Sequence, residues 1–428
     1  MRVEIKLNFI DLFAGAGGLS EGFVKRGYKP LAHVEMDRYA AQTLLTRSIY
    51  WELKSTNRYS IYLDYLEGTI TKEEFYSYLP PEMSNIVINA EISEQTIDGI
   101  FNVIDNNMRL LGENKIDLII GGPPCQAYSL VGRARDPERK ENDPRNYLYK
   151  QYIKFLEKYE PDLFVFENVP SIKTAGNGSF FQSMKDDMQA LGYTLESAVV
   201  DASNHGVLQQ RKRVILIGWK AESNMRFPDI EVVLGDYRVS DLLDDLPDLL
   251  PGEIMEKCNY TANASEYLIQ SGIRTDDFVT QHISRPHNER DRAIYRLVIE
   301  AWKNQGNWLK YTDLPAGLRT HKNLHSFLDR FKVVAGDSAY CHTMVAHISK
   351  DGHYYIHPDI KQIRSLSVRE AARIQSFPDN FYFEGPRTSI FTQIGNAVPP
   401  ILSEKIAIGI EQLFRTAINS QQGVEGHA

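Results

Sequence analysis

Three runs, NFIDLF (8–13), IDLIIGG (116–122) and DLFVFENV (162–169), are almost unbroken in apolar residues and too short for helices. A strand with one face in water alternates polar and apolar side chains. An unbroken run needs cover on both faces, the condition of a parallel sheet clad by helices. KPLAHVE (29–35) and RVILIGW (213–219) extend the series, and helix-length segments lie between the runs. One of them, NYLYKQYIKFLEKY (146–159), carries its apolar residues at helical spacing. The alternation predicts an α/β domain with a doubly wound, mostly parallel sheet.

After Trp219 the pattern is lost. Residues 220–360 are rich in Asp, Asn, His and Pro and predict a second, smaller domain, so that residues 1–219 form the first. Within the second, residues 221–281 hold 4 Lys+Arg against 13 Asp+Glu, whereas residues 285–332 hold 10 against 5 with Tyr295, Trp302, Trp308, Tyr311 and Phe327 interleaved. Such a basic, aromatic segment suits a polyanion, and equally a helix with a solvated basic face. Regularity returns in residues 361–428, which go back to the first domain. Ser367 and Glu370 form a capping-box pattern ahead of a helix, and residues 403–418 predict another. The tyrosine-rich, charged stretch 48–84 interrupts the alternation and reads as a helical insertion.

Among the 428 residues no apolar stretch approaches the roughly 18 needed to cross a bilayer, and Met1–Phe9 lacks the apolar centre of a secretory signal. The expectation is a cytoplasmic protein. Cys125, Cys258 and Cys341 lie far apart with no CxxC pair, which excludes a disulfide framework and a zinc finger of the usual spacing. A net charge of -8 argues against coating nucleic acid through overall basicity. CHTMVAHISKDGHYYIHPD (341–359) gathers four histidines and a cysteine in no familiar metal pattern; no metal is expected, and Asp351-Gly352 predicts a hairpin turn.

Four short motifs carry chemistry. DLFAGAGGLSEGF (11–23) joins a strand to a helix through Gly15, Gly17 and Gly18, which lets a ligand approach the backbone and the helix N-terminus. Glu35 ends the next strand, where a carboxylate can hold ribose hydroxyls. A nucleoside cofactor follows, either NAD or S-adenosylmethionine; Ser20 in place of the third dinucleotide glycine tilts against NAD. GGPPCQAYS (121–129) puts Cys125 after two glycines and two prolines at the carboxyl end of a strand. A thiol on so stiff a turn suits a nucleophile better than a core filler. PDLFVFENVP (161–170) brings Glu167 to the same sheet edge, as a general acid or a solvated carboxylate. QQRKRVILIG (209–218) sets Arg211 and Arg213 two apart on one face, able to grip a phosphate or a base carbonyl, or simply to face solvent. The charged segment 132–145 predicts a mobile loop beside the cysteine.

Together these motifs, with RSLSVREAARIQSFPDNF and QIGNAVPP (393–400), resemble the cytosine-C5 DNA methyltransferases, in that family's order and over nearly the whole chain outside 48–84 and 220–340. The resemblance implies the S-adenosylmethionine-dependent methyltransferase fold and a target-recognition domain over 220–360. It implies transfer of a methyl group from S-adenosylmethionine, leaving S-adenosylhomocysteine, to C5 of a cytosine extruded from duplex DNA. Cys125 would add to C6, Glu167 would hydrogen-bond and protonate N3, and Arg213 would hold O2, with Arg211 beside it. Cofactor contacts would come from Phe13, Ala14, Gly15, Gly17, Gly18, Leu19, Glu35, Met36, Pro123, Leu148, Asn396 and Val398, with Glu91 on the adenine amino group. Gln126, Ser129 and Gln209 would touch the substrate, and the loop 129–145 would close over it. Leu208 and Met36 depart from the family's usual residues.

Further expectations are a monomer, as an asymmetric base-extruding site suits, and a cognate restriction endonuclease encoded separately. A transfer-RNA substrate is the alternative within the family, disfavoured by some 140 residues of recognition domain. A catalytically silent DNA-binding relative would have lost Cys125, Glu167 or the glycine loop, and an NAD-dependent dehydrogenase leaves PPC, ENV and QxRxR unexplained.

Overall fold

The computed structural model describes residues 6–124, 148–223, 225–320, 324 and 328–425. Seven strands form one sheet: β1 (Asn8–Leu12), β2 (Lys29–Glu35), β3 (Val87–Asn89), β4 (Leu118–Gly121), β5 (Leu163–Asn168), β6 (Tyr193–Asp201) and β7 (Lys212–Lys220). Their order is β3-β2-β1-β4-β5-β7-β6. The first five are parallel, and β7 runs antiparallel to both β5 and β6. The mixed, mostly parallel sheet and its helices make an α/β fold. The order in which strands are added reverses between β1 and β4, the switch point where open α/β sheets leave a crevice.

The first part of the chain supplies α1 (Gly18–Lys25), α2 (Arg38–Ser55), α3 (Tyr59–Leu66), α4 (Lys72–Tyr76), α5 (Ile97–Leu111), α6 (Leu148–Tyr159) and α7 (Ser179–Ala190). Successive strand residues serve opposite cores, as the pleat requires. Ile10, Leu12, Ile119 and Phe164 pack with Ile100, Tyr152, Phe155 and Met184 on one face. Phe9, Leu118, Ile120 and Val165 pack on the other with Leu19, Phe23, Ile406 and Ile410. Both faces of β1 and β4 are fully covered, which is why their sequences lack alternation.

Beyond β7 come β8 (Ile254–Asn259), α8 (Glu266–Gln270), β9 (Phe278–Ile283), α9 (Glu289–Gln305), α10 (Val368–Ile374), α11 (Arg387–Asn396) and α12 (Pro400–Glu425). β8 and β9 pair as an antiparallel ribbon. Val239, Leu242, Leu268, Ile283, Met344 and Tyr355 share one core with Val368, Ala372, Phe377, Phe391 and Ile394. The expected capping box closes: Ser367 Oγ accepts from the Glu370 N–H at 3.1 Å, and Glu370 Oε2 accepts from the Ser367 N–H at 2.7 Å. No described helix is long and apolar enough to cross a membrane.

Two local expectations are corrected, and two strands are added. Residues 341–359 form no hairpin: Cys341 bridges to Gln209, while Ile356 bridges to Val333 and to Ser365, so distant segments take the backbone groups a hairpin would have paired. α2 runs unbroken through Ser48 to Ser55, so the insertion leaves the frame only after that helix. β3 and β6 join the sheet at its two edges, where strands are short or half-exposed and their sequences do not stand out.

Candidate active site

At the carboxyl ends of β1 and β2 the chain makes a tight, open loop. Phe13, Gly15 and Gly17 have φ of 57°, 55° and 84°, and Gly17 caps α1 with no side chain on the helix N-terminus. The loop is sewn to its neighbour strand: Ala14 N–H donates to the Val34 carbonyl at 3.1 Å and Gly15 N–H to Glu35 Oε2 at 2.7 Å. Glu35 Oε1 accepts from the Asp37 N–H at 2.7 Å. Each oxygen therefore keeps a second lone pair for another donor. Burial pushes the Glu35 carboxyl above its ordinary range, and the two backbone N–H groups oppose that shift. Next to it, Met36 is 63% exposed. Asn89 at the end of β3 donates to the Glu35 and Met36 carbonyls at 2.9 and 3.1 Å. Glu91 follows, exposed, in the irregular segment after β3.

QIGNAVPP lies behind this loop. A Cβ at Gly18 would stand 2.3 Å from the Val398 carbonyl oxygen and 2.9 Å from the Ala397 Cβ, so only a glycine admits that contact. Farther along, Gly22 passes as closely against Ser403 and Glu404 of α12, and Tyr28 Oη donates to the Ala407 carbonyl at 2.9 Å. Val398 is buried and Asn396 exposed.

The second half of the site is built on β4, β5 and β7. Glu167 pairs with Ile215 in the β5–β7 ladder, so Arg213, two residues before Ile215, is its diagonal neighbour on one face. Arg213 Nε lies 2.8 Å from Glu167 Oε1, with both side chains largely buried. Burial pulls the Arg213 guanidinium down from its ordinary value, and Glu167 pulls it back. Glu167 Oε2 makes no hydrogen bond to a described residue and faces Gly122, where a Cβ would stand 2.6 Å from it. A Cβ at Gly121 would meet the Leu12 carbonyl oxygen at 2.3 Å. Asn168 Nδ2 donates to the Pro123 carbonyl at 3.1 Å, holding the turn two residues before Cys125. Cys125, Gln126 and Ser129 and the loop 132–145 lie outside the described residues. Leu148, the first residue of α6, is half-buried.

Gln209 and Arg211 face elsewhere. Gln209 is fully buried; its amide donates to the Ile374 carbonyl at 3.0 Å and Gln375 Oε1 at 2.7 Å, and its oxygen accepts from the Met344 N–H at 2.8 Å. Arg211 Nη2 donates to the Gly395 and Ala397 carbonyls at 3.1 and 2.8 Å, and Nη1 to the Met344 carbonyl. No carboxylate among the described residues pairs with it, and burial pushes its guanidinium well below the ordinary value. The two arginines are thus divided, one on Glu167 and one under QIGNAVPP. Sequence reasoning gave no role to Asn168 or Gly395. The first adjoins Glu167 in ENVP, a usable signal. The second has none, since a Cβ at Gly395 meets Ala346 N, 49 residues away, at 2.3 Å. Among the described residues no group of three His, Cys, Asp or Glu is placed to hold a metal ion.

The model of the C-5 cytosine-specific DNA methylase family matches residues 7–59 and 87–412. The chain is 42% identical to the type II methyltransferase M.Bpa9945I of Bacillus paralicheniformis, over 95% of this chain and 98% of that one. It is 28% identical to the type II methyltransferase M.DdeI of Desulfomicrobium norvegicum, over 95% and 89%. Among solved structures, a prophage-encoded DNA modification methyltransferase candidate of E. coli superposes with a TM-score of 0.64 at 23% identity, covering 96% of this chain and 100% of that one.

Proposed function

From the premise that the chain belongs to the C-5 cytosine-specific DNA methylase family and is a DNA (cytosine-5-)-methyltransferase, we propose that it acts on a cytosine turned out of duplex DNA and draws its methyl group from S-adenosylmethionine. Extrusion is required because the reacting atoms are closed off within a stacked duplex. The observation that carries the reading is the Glu167–Arg213 pair, with Glu167 against Gly122, which immediately precedes the two prolines before Cys125.

The residues present fit the cofactor. Positive φ at Gly15 and Gly17 opens the loop, the α1 N-terminus is uncapped, and Glu35 keeps two acceptor positions for ribose hydroxyls. Phe13 to Leu19, Glu35, Met36, Pro123, Leu148, Asn396 and Val398 would hold it, with Glu91, after β3, on the adenine amino group. When bound, the cofactor supplies an electrophilic methyl group on a sulfonium. The Cys125 thiolate forms a bond to C6, which makes C5 electron-rich. Glu167 hydrogen-bonds N3 through Oε2 and protonates it so that charge does not gather on the ring, and Arg213 holds O2 while keeping Glu167 in place. After C5 is methylated, a base takes the C5 proton and the S–C6 bond breaks, restoring the thiolate. Arg211 and Gln209 position QIGNAVPP and the 343–345 segment without touching the substrate.

Residues 220–360 are the part we assign to reading the sequence, with the basic 285–332 segment toward phosphate and base edges supplying specificity. A separately encoded restriction endonuclease is the companion that relatives named type II methyltransferases suggest. The test is incubation with labelled S-adenosylmethionine and duplex DNA containing 5-fluorocytosine, whose C5 fluorine cannot leave as a proton does. A denaturant-resistant protein–DNA adduct is expected, absent in Cys125→Ser; an adduct that survives that substitution would remove Cys125 from its role.

A further inference from the structure

Residues 60–86 fall between the two stretches matched by the family model, yet they are tightly built in. Tyr62, Leu66 and Phe75 form a core with Ile49, Tyr50 and Leu53 of α2, against which Phe278 of β9 and Tyr382 pack. Tyrosine hydroxyls carry the polar contacts outward from this core. Tyr59 Oη donates to Asp276 Oδ1 at 2.9 Å, Tyr62 Oη to the Asn380 carbonyl at 2.6 Å and Tyr65 Oη to Glu384 Oε1 at 2.7 Å. Glu67 meets Lys257 of β8 at 2.6 Å, and the Lys257 ammonium also lies 4.2 Å from the centre of the Phe278 ring.

The other end of the segment is fixed to the cofactor half. Arg47 of α2 binds Glu21 of α1 through two hydrogen bonds of 2.6 and 2.9 Å and reaches the Asn380 side chain at 3.2 Å. The helix that begins at the glycine loop is therefore linked through Arg47, Asn380 and Tyr62 to a segment whose far side grips the β8–β9 ribbon. Residues 59–84 hold five acidic residues against the single cation Lys72. A surface of that sign repels phosphate, so the segment acts inward on the ribbon and not on DNA.

We propose that residues 59–84 are a brace that sets the β8–β9 ribbon relative to the cofactor half, with Tyr59 and Glu67 as positioning residues for DNA engagement. The proposal rests on the reading that residues 220–360 meet DNA. Because no hydrogen bond, ion pair or ring contact among the described residues joins the brace to the proposed cofactor loop or to Glu167, loosening it changes how well DNA is engaged and leaves the chemical step alone.

The test is the double variant Tyr59→Phe, Glu67→Gln, which keeps the ring at 59 and the side-chain length at 67. Methyl transfer from labelled S-adenosylmethionine is measured on unmethylated duplex genomic DNA, alongside hydrogen exchange of the amides in 254–259 and 278–283. The expected result is a rise of about fivefold to tenfold in the KM for DNA, from the loss of one partly buried and one exposed contact. The kcat and the KM for S-adenosylmethionine stay within about twofold, and exchange quickens in the ribbon but not in β1, β4 and β5. Unchanged KM for DNA and unchanged ribbon exchange would overturn the brace while leaving the methyltransferase reading intact. A parallel fall in kcat and cofactor affinity would also overturn it, as general destabilisation. A wild-type protein that transfers no methyl group to duplex DNA would take both readings down.

Discussion

Gly122 and Glu167 meet so closely that a methyl group on the glycine would stand 2.6 Å from the carboxylate Oε2 and 2.9 Å from the Glu167 carbonyl oxygen. The turn that leads to Cys125 and the end of β5 are thus fitted to each other at a position with no side chain. Gly122→Ala should displace Glu167 or the turn by a sizeable fraction of an ångström. Misplacement on that scale costs about 10²-fold in rate. We expect a fall of that order in kcat with S-adenosylmethionine binding intact, checked by label transfer and by calorimetry.

Arg211 and Arg213, two residues apart, should fail in different ways. Arg213→Met removes the partner of Glu167 and is expected to lower kcat by about 10²- to 10³-fold, far more than its loss of stability accounts for. Arg211→Met leaves the buried carbonyls of Met344 and Gly395 without a donor, each costing ~1–3 kcal/mol, while Ala397 keeps only the Gln375 amide. Its signature is a lowered melting temperature first and weakened cofactor binding second. Thermal melts and steady-state kinetics on both variants separate the two roles.

Gly18→Ala should act from the other side of the cofactor loop. With the Val398 carbonyl oxygen 2.3 Å from the new methyl group, α1 and QIGNAVPP must part. Overpacking of this kind costs ~1–3 kcal/mol. The expected outcome is lower stability together with a raised KM for S-adenosylmethionine, while affinity for DNA measured without cofactor stays near the wild-type value.

A pH dependence follows from His342, which donates to the Tyr354 carbonyl and stacks on the Tyr355 ring. Burial pushes its imidazole down to about 3, with Lys332 adding to the shift. Since an unfolded histidine titrates near 6.5, the native state holds fewer protons than the unfolded state between these values. Stability from this group is full above about pH 6.5 and is lost as pH falls toward 3. The melting temperature should therefore drop on acidification across that window, and His342→Gln, which retains an N–H donor, should make the drop shallower.

How much of this was legible depended on whether a residue's neighbours were local. The runs at β1, β4, β5 and β7 stand out because both strand faces are buried, and Ser367 with Glu370 announces α10 because a capping box spans only four residues. The glycine loop and the Glu167 strand end were readable for the same reason. What escaped was set by contacts distant in sequence. Nothing within QQRKR tells that Arg211 turns to carbonyls at 344, 395 and 397 while Arg213 meets Glu167. Asp351-Gly352 suggested a hairpin in 341–359, yet Cys341 and Ile356 pair with Gln209, Val333 and Ser365. β6, YTLESAVVD, lies at a sheet edge with one neighbour, and its mixed burial blurs the strand pattern.

Bisulfite sequencing of DNA from cells expressing the protein, paired with mass spectrometry of the digested nucleosides, tests the central claim most directly. The account predicts 5-methylcytosine confined to cytosines in one sequence context, and none in cells expressing Cys125→Ser. Methylation at an exocyclic nitrogen in place of C5, or 5-methylcytosine formed equally by Cys125→Ser, would contradict it.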